Sequence, residues 1–288
     1  MPELPEVETI RLGLQKYLVG HRIEEIDLRL PKQFIGDPSQ VVGATVIAVR
    51  RFGKGLVIDL DNHISLAIHV KMTGQLLYAS SHTQNTSISA TLRTYSGGVP
   101  LTDLPDRYTH VLFTLDKGSM LYYRDIRQFG WIKVVPTAQV IEMPFFKMLG
   151  KEPLRDLTFA DFVKLLKPTK TPIKTLLMDQ AKIAGIGNIY ANDALFQAGI
   201  LPTRPANTLS RKEQEKLFAA IEELLAKSIA VGGASASNYI NVLGERGTYQ
   251  DHFLVYKRDG KQCIVCTTVI ERSVLGGRGT FICHVCQI

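Results

Sequence analysis

KQCIVCTTVIERSVLGGRGTFICHVCQI, residues 261–288, decides how the rest of the chain is read. It holds all four cysteines of the sequence, Cys263, Cys266, Cys283 and Cys286, spaced C-x2-C-x16-C-x2-C. Two thiol pairs so separated match a four-thiolate zinc site. Two structural disulfides are the alternative. The chain opens MPELPEVETI, with acids where a signal peptide carries a basic flank, so a leaderless, cytoplasmic protein is expected. A reducing compartment disfavours disulfides. One structural zinc ion per chain is therefore expected, and no catalytic metal, because four thiolates leave no open coordination position. Between the cysteine pairs, Gly276, Gly277 and Gly279 flank Arg278. This reads as a tight turn that exposes one cation on a β-ribbon, a shape able to enter a DNA groove.

Upstream of the tail, VGGASASNYINVLGERGTYQ (231–250) is rich in Gly and Ser and separates it from a helical region. From about 156 to 230 the patterns TFADFVKLLK, IKTLLMD, NIYANDALFQAG and SRKEQEKLFAAIEELLAKSIA are helical,. Residues 137–151 read as a linker. From about 23 to 136 the text is β-branched and aromatic, broken by Gly, Asp and Asn, and predicts two packed sheets. Residues 79–107 have weak periodicity and read as a surface insertion. At the start, Val7, Ile10, Leu14 and Leu18 recur at helical spacing, with Gly20 as a stop,. No internal repeat is present.

The expected organisation is α+β. Residues 1–136 form a β-sandwich domain with an N-terminal helix, and 137–151 the linker. Residues 152–249 form a helical domain, with a loop at about 231–250, and 250–288 a zinc finger. A length of 288 residues suits about two domains, and 45% hydrophobic residues can fill their cores,. No apolar run reaches the roughly 18 residues of a membrane span. A net charge of +7 fits a nucleic-acid partner, as it fits many proteins with none,.

Pro2 carries a chemical opportunity. A small second residue normally permits removal of the initiator Met, which would leave a free proline amine. An α-amine has a pKa near 8 and lysine near 10.4, so at pH 7 roughly a tenth of the former is neutral against about 0.04% of the latter. Attack of a secondary amine on a sugar C1′ expels the base and forms an iminium ion. That cation cannot be discharged by simple deprotonation and so serves as an electron sink for eliminating phosphate. From Pro-Glu alone, a proline that merely starts a helix is the simpler reading.

The motifs MPELPEVE (1–8), RRFGKG (50–55), HVKMTG (69–74), DIRQFG (125–130), AGIGNIYANDALF (184–196) and GGRGTFICHVCQ (276–287) decide against that reading. In this order the chain resembles bacterial formamidopyrimidine-DNA glycosylase, of the Fpg/endonuclease VIII family, over nearly its whole length. The endonuclease VIII branch usually has Gly where this chain has Leu4, so the resemblance favours the purine-specific branch. It implies a helix-two-turns-helix element around AGIGNIY. It also implies a bifunctional DNA glycosylase/AP lyase of base excision repair, acting as a monomer on double-stranded DNA with oxidised bases or abasic sites. Oxidised purines would leave through a Pro2 Schiff base and β,δ-elimination. The rival readings are an endonuclease VIII-like enzyme for oxidised pyrimidines and a zinc-ribbon DNA-binding protein without catalysis. The last has no use for Pro2, Glu3 or Lys54.

By the resemblance, Pro2 is the nucleophile and Glu3 the general acid, and a carboxyl beside the attacking amine can indeed shuttle its proton. Glu6 is either a supporting carboxylate or an exposed first-turn acid. Lys54 contacts phosphate and assists β-elimination, or else is a solvated strand-end lysine. Met72, Arg127 and Phe129 match a trio that fills the gap left by a flipped base: Met and Phe as wedges, Arg as partner of the orphaned base. Gly185 and Gly187 precede a helix whose start can hold phosphate, with Asn188 adding a side chain. His69, Lys170, Tyr256 and Arg272 match DNA-contacting positions, and Arg278 adds a part in δ-elimination. Tyr108 stands where a DNA-contacting His is common, and the segment between Met72 and His110 is longer than usual for the family. The 231–250 segment, with Gly232, Gly233, Ser235, Ser237 and Asn238, is the expected reader of the damaged base, since buried donors and acceptors best distinguish an oxidised purine from guanine.

Overall fold

Leu4, Val7, Ile10 and Leu14 are buried along one side of helix α1, Leu4–Tyr17. Leu18 caps its end, and Gly20 turns the chain away with φ +90. A computed structural model describes residues 1–81 and 103–288, and these form two units. One comprises Met1–Lys147 with Gly232–Thr248, the other Met148–Val231 with Tyr249–Ile288.

The first unit is the two-layer β-sandwich that the strand patterns predict. Its strands are β1 (Ile23–Leu28), β2 (Phe34–Ile35), β3 (Val46–Phe52), β4 (Gly55–Leu60), β5 (Ile64–His69), β6 (Gly74–Ala79), β7 (Thr109–Leu115), β8 (Met120–Asp125) and β9 (Trp131–Pro136). One sheet has the order β1-β7-β8-β6 and the other β2-β9-β5-β4-β3. All pairs are antiparallel except β2 with β9. Ile58, Leu66 and Ile68 from one sheet and Leu76, Val111 and Phe113 from the other share a core with α1. The insertion expected at 79–107 falls largely on 82–102, outside the described residues.

Two segments sit differently from the sequence reading. Residues 137–147 are packed structure: a 3-10 helix, Thr137–Glu142, and the short helix α2, Pro144–Lys147. Phe145 packs edge-on against His69 and Trp131, at 4.8 and 5.7 Å between ring centroids. The 232–248 segment belongs to the β unit. Tyr239 and Val242 enter its core, and Tyr78 N donates to Val242 O at 2.8 Å. Tyr239, Ile240 and Val242, buried apolar anchors in a Gly/Ser-rich stretch, are too few to make a periodic signal.

The second unit contains α3 (Phe159–Leu166), α4 (Ile173–Met178), α5 (Asn188–Ala198), α6 (Arg211–Ala230) and a hairpin of β10 (Glu271–Leu275) with β11 (Arg278–Ile282). Thr158 with Asp161 and Ser210 with Glu213 close capping boxes at α3 and α6,. Among the described residues no helix is long and apolar enough to cross a membrane.

Candidate active site

The N-terminus enters the fold buried. Met1 is 46% exposed, whereas Pro2 is buried and Glu3 is 4% exposed. Glu6, 1% exposed, is no surface acid. Its Oε2 accepts from Glu3 N at 2.8 Å, and its Oε1 accepts from Ala234 N at 2.8 Å. One carboxylate thus ties the start of α1 to the 232–248 segment. Gly233, with φ +81, is needed there, because a Cβ would lie 3.0 Å from Glu6 Cγ. Burial, and then the charge of Glu6, pushes the Tyr239 hydroxyl above its ordinary range.

Lys54 occupies the two-residue turn between β3 and β4, where Gly53 takes φ +55. It is 5% exposed, so the solvated reading does not hold. Arg51 anchors this turn: its Nη1 donates to Gly53 O at 3.0 Å and its Nε to Glu8 Oε2 of α1 at 2.6 Å. Burial works against the Glu8 carboxylate, but bonds from Arg11 and Arg51 outweigh it and hold Glu8 below the usual carboxylate range. His69, at the end of β5, is 5% exposed. Burial, then the charges of Lys71 and Lys54, lower its pKa to about 3. Its Nδ1 accepts from Lys71 N at 2.9 Å, so the neutral ring carries its proton on Nε2.

Met72, Arg127 and Phe129 lie together and exposed. Met72 is 43% and Phe129 56% exposed. Arg127 Nη1 donates to Met72 Sδ at 3.0 Å, and the guanidinium lies 4.8 Å from the Phe129 ring centre. Tyr108 is half-buried between Arg107 and Arg124, 4.7 and 5.1 Å from its ring centre.

In the second unit, Gly276 and Gly277 form the hairpin turn with φ +57 and +72. Both central residues are left-handed, as a two-residue type I′ turn requires. Arg278 follows, exposed, and Arg272 is exposed on the paired strand. The hairpin is held from beneath. Gly279 O accepts from Lys174 Nζ at 2.7 Å and from Asn188 Nδ2 at 3.0 Å. The Asn188 side chain, expected to face phosphate, therefore uses a donor to place the hairpin. Lys170 is exposed, and half-buried Tyr256 packs edge-on against Phe281 at 5.3 Å. Arg278 also borders a cavity of about 580 Å³ with Lys174 and Lys182 on its wall.

The four cysteine sulfurs all lie within 4.8 Å of one another. Cys263 and Cys286 are 3.8 Å apart and Cys266 and Cys283 3.4 Å, far beyond a disulfide bond of about 2.05 Å. Tetrahedral thiolates at about 2.3 Å from zinc are separated by about 3.8 Å, so this donor set fits that ion.

The family model for the formamidopyrimidine-DNA glycosylase N-terminal domain matches residues 1–132, and that for the H2TH domain of the same enzyme matches residues 149–239. A formamidopyrimidine-DNA glycosylase of Pelotomaculum thermopropionicum is 39% identical over 294 residues, covering 100% of this chain and 99% of the relative. This chain belongs to the formamidopyrimidine-DNA glycosylase family. The crystal structure of the MutM (Fpg) protein from Thermus thermophilus matches with a TM-score of 0.84 at 34% identity, covering 99% of this chain and 98% of that one. A Lactococcus lactis Fpg mutant in complex with DNA containing Fapy-dG matches with a TM-score of 0.86 at 30% identity, covering 99% of each chain. Other complexes of the Lactococcus protein hold DNA with an abasic site or an oxidised pyrimidine.

Against the family motifs, sequence reasoning missed the residues that hold the machinery in place. Lys174 is 1% exposed and also reaches Thr280 Oγ1 at 2.8 Å. A lysine in the otherwise largely apolar run IKTLL was its only signal. Asp193, fully buried, accepts from the backbone N–H groups of Leu254, Val255 and Tyr256. Gln75 bridges Arg124 and Asn238 O. These contacts join residues far apart in sequence and leave no local pattern.

Proposed function

We propose that this chain is a bifunctional DNA glycosylase and AP lyase that excises oxidised purines, 8-oxoguanine and formamidopyrimidines, from duplex DNA. The observation that carries the reading is the N-terminus: Pro2 and Glu3 buried at the start of α1 behind an exposed Met1. With Met1 attached, the Pro2 nitrogen is an amide and cannot attack. With Met1 removed, it is a secondary amine beside a sheltered carboxyl.

Pro2 N attacks the sugar C1′, the C1′–N bond breaks, and the base departs with a proton. Glu3 supplies a proton to the base or to the ring oxygen as the sugar opens. The iminium ion acidifies C2′, so that proton passes to a base as the C3′–O bond breaks and the 3′ phosphate leaves; loss of the C4′ proton to a base then expels the 5′ phosphate. Buried Lys54 serves as a fixed cation for phosphate. His69 contributes a neutral Nε2–H donor, which binds phosphate without adding charge. Met72, Arg127 and Phe129 fill the gap left by the flipped base. Tyr108, Lys170, Asn188, Tyr256, Arg272 and Arg278 supply further DNA contacts, Arg278 also serving δ-elimination. Cys263, Cys266, Cys283 and Cys286 hold one zinc ion, whose contribution is structural. In the 232–248 segment, Ser235 is spent internally: its hydroxyl donates to Tyr239 O and accepts from Gly247 N. Exposed Ser237 and half-buried Asn238 remain as readers of the base. The protein acts in the cytoplasm as a monomer.

Borohydride trapping on an 8-oxoguanine duplex tests the reading. The covalent adduct is expected at Pro2, and a tag fused ahead of Pro2 should abolish it. An adduct mapped to Lys54 would overturn the assignment. Comparison with a duplex carrying an oxidised pyrimidine, a lesion seen bound to the Lactococcus relative, separates the purine reading from the endonuclease VIII-like one.

A further inference from the structure

We infer that Asp125 is a positioning residue that locks the Met72 turn and the Arg127–Phe129 turn into one preorganised unit. The inference rests on the reading that these three side chains fill the gap in the duplex. Asp125 ends β8 and is fully buried. Its Oδ1 accepts from the Thr73 hydroxyl and from Arg127 N, and its Oδ2 from Gly130 N at 2.8 Å and Gln33 Nε2 at 3.0 Å. Four donors match the roughly four acceptor sites of a carboxylate. Thr73 directly follows Met72, and Arg127 N donates to its hydroxyl at 2.9 Å. Arg127 and Gly130 bracket the other turn. Among the described residues, the hydrogen bonds that tie Thr73 to Arg127 N and Gly130 N therefore run through the Asp125 carboxylate or through the hydroxyl it holds.

The turns need such a clamp. Lys71, before Met72, and Gln128, before Phe129, are left-handed with φ +50 and +58. Side chains other than glycine rarely adopt this conformation, and each stores strain. Side chains already held in place lose less freedom on entering DNA than side chains on relaxed turns. Asp125→Asn keeps the shape but presents an NH2 group to donors on whichever side it faces, which splits the unit.

The test is single-turnover excision of 8-oxoguanine from duplex DNA by the full chain. Asp125→Asn is expected to slow excision about tenfold or more in the native background, but less than about twofold when Met72, Arg127 and Phe129 are all alanine. Thr73→Val, which keeps the buried charge, should reproduce the loss, and Thr73→Ser should restore most of the rate. These two variants carry the test if Asp125→Asn fails to fold. Equal slowing by Asp125→Asn, or by Thr73→Val, in both backgrounds would mean that the network acts elsewhere and would overturn the inference. If the triple alanine variant excises at the native rate, the gap-filling reading itself fails and the inference falls with it.

Discussion

His69 is a titratable group that the fold keeps from titrating. Its ring is buried between aromatic neighbours, and two lysines oppose a second charge, so protonation in the folded state waits until about pH 3. The unfolded chain binds that proton near pH 6.5. Between these values the unfolded state holds more protons, so stability falls as pH drops from about 6.5 towards 3 and this penalty is absent above that window. The His69 ring resonances are expected to stay those of a neutral, Nε2-protonated imidazole from about pH 8 down to about 5. A midpoint inside that range would show that the ring is solvated and would remove the neutral-donor role.

At the scale of elements, the gap-filling trio sits on turns between strands, and a glycine closes each of those turns. In DIRQFG the chain closes at Gly130, where a Cβ would stand 1.9 Å from the Tyr123 hydroxyl and 2.9 Å from His69 O. Gly130→Ala is expected to destabilise by about 1–3 kcal/mol through overpacking, seen as a lower Tm. Tyr123→Phe in the same chain should recover part of the loss by removing the nearer atom, the rest belonging to the His69 carbonyl and to Asp125 Oδ2 at 3.2 Å. No recovery at all would place the whole cost on these two remaining contacts. HVKMTG has the same logic at Gly74, which donates to Val70 O at 2.8 Å and has no room for a side chain.

At the scale of the molecule, the two units divide the proposed work. The β unit holds the nucleophile, the buried carboxylates and the gap-filling trio. The other unit holds the hairpin and the cysteine cluster, whose Cys263 and Cys283 pack with Phe196, Val255 and Phe281. Structural zinc contributes about 10–16 kcal/mol of binding free energy to a small module, so losing it should melt the hairpin that presents Arg278. Cys263→Ser is expected to lose metal and at least about tenfold in duplex affinity, while amide exchange in β4 and β5 stays slow. Native affinity after verified metal loss would refute a structural role for the ion.

Much of this protein is written in local pattern. Alternating strands and the stripe of α1 predict the sandwich, because side-chain period follows backbone geometry. The cysteine spacing and Gly276–Gly277 predict the ligand cluster and its ribbon, because both are set by residues close in the chain. Met72 and Phe129 were legible as exposed from the turn-like text around them. Tertiary structure alone decided the rest. It buried Glu6 and Lys54, made His69 neutral, turned Asn188 inward and moved 232–248 to the β unit. Asp125 shows the reason most plainly: its partners Gln33, Thr73, Arg127 and Gly130 come from three separate stretches of chain. A buried charge is defined by what the fold brings to it, and no window of sequence contains that.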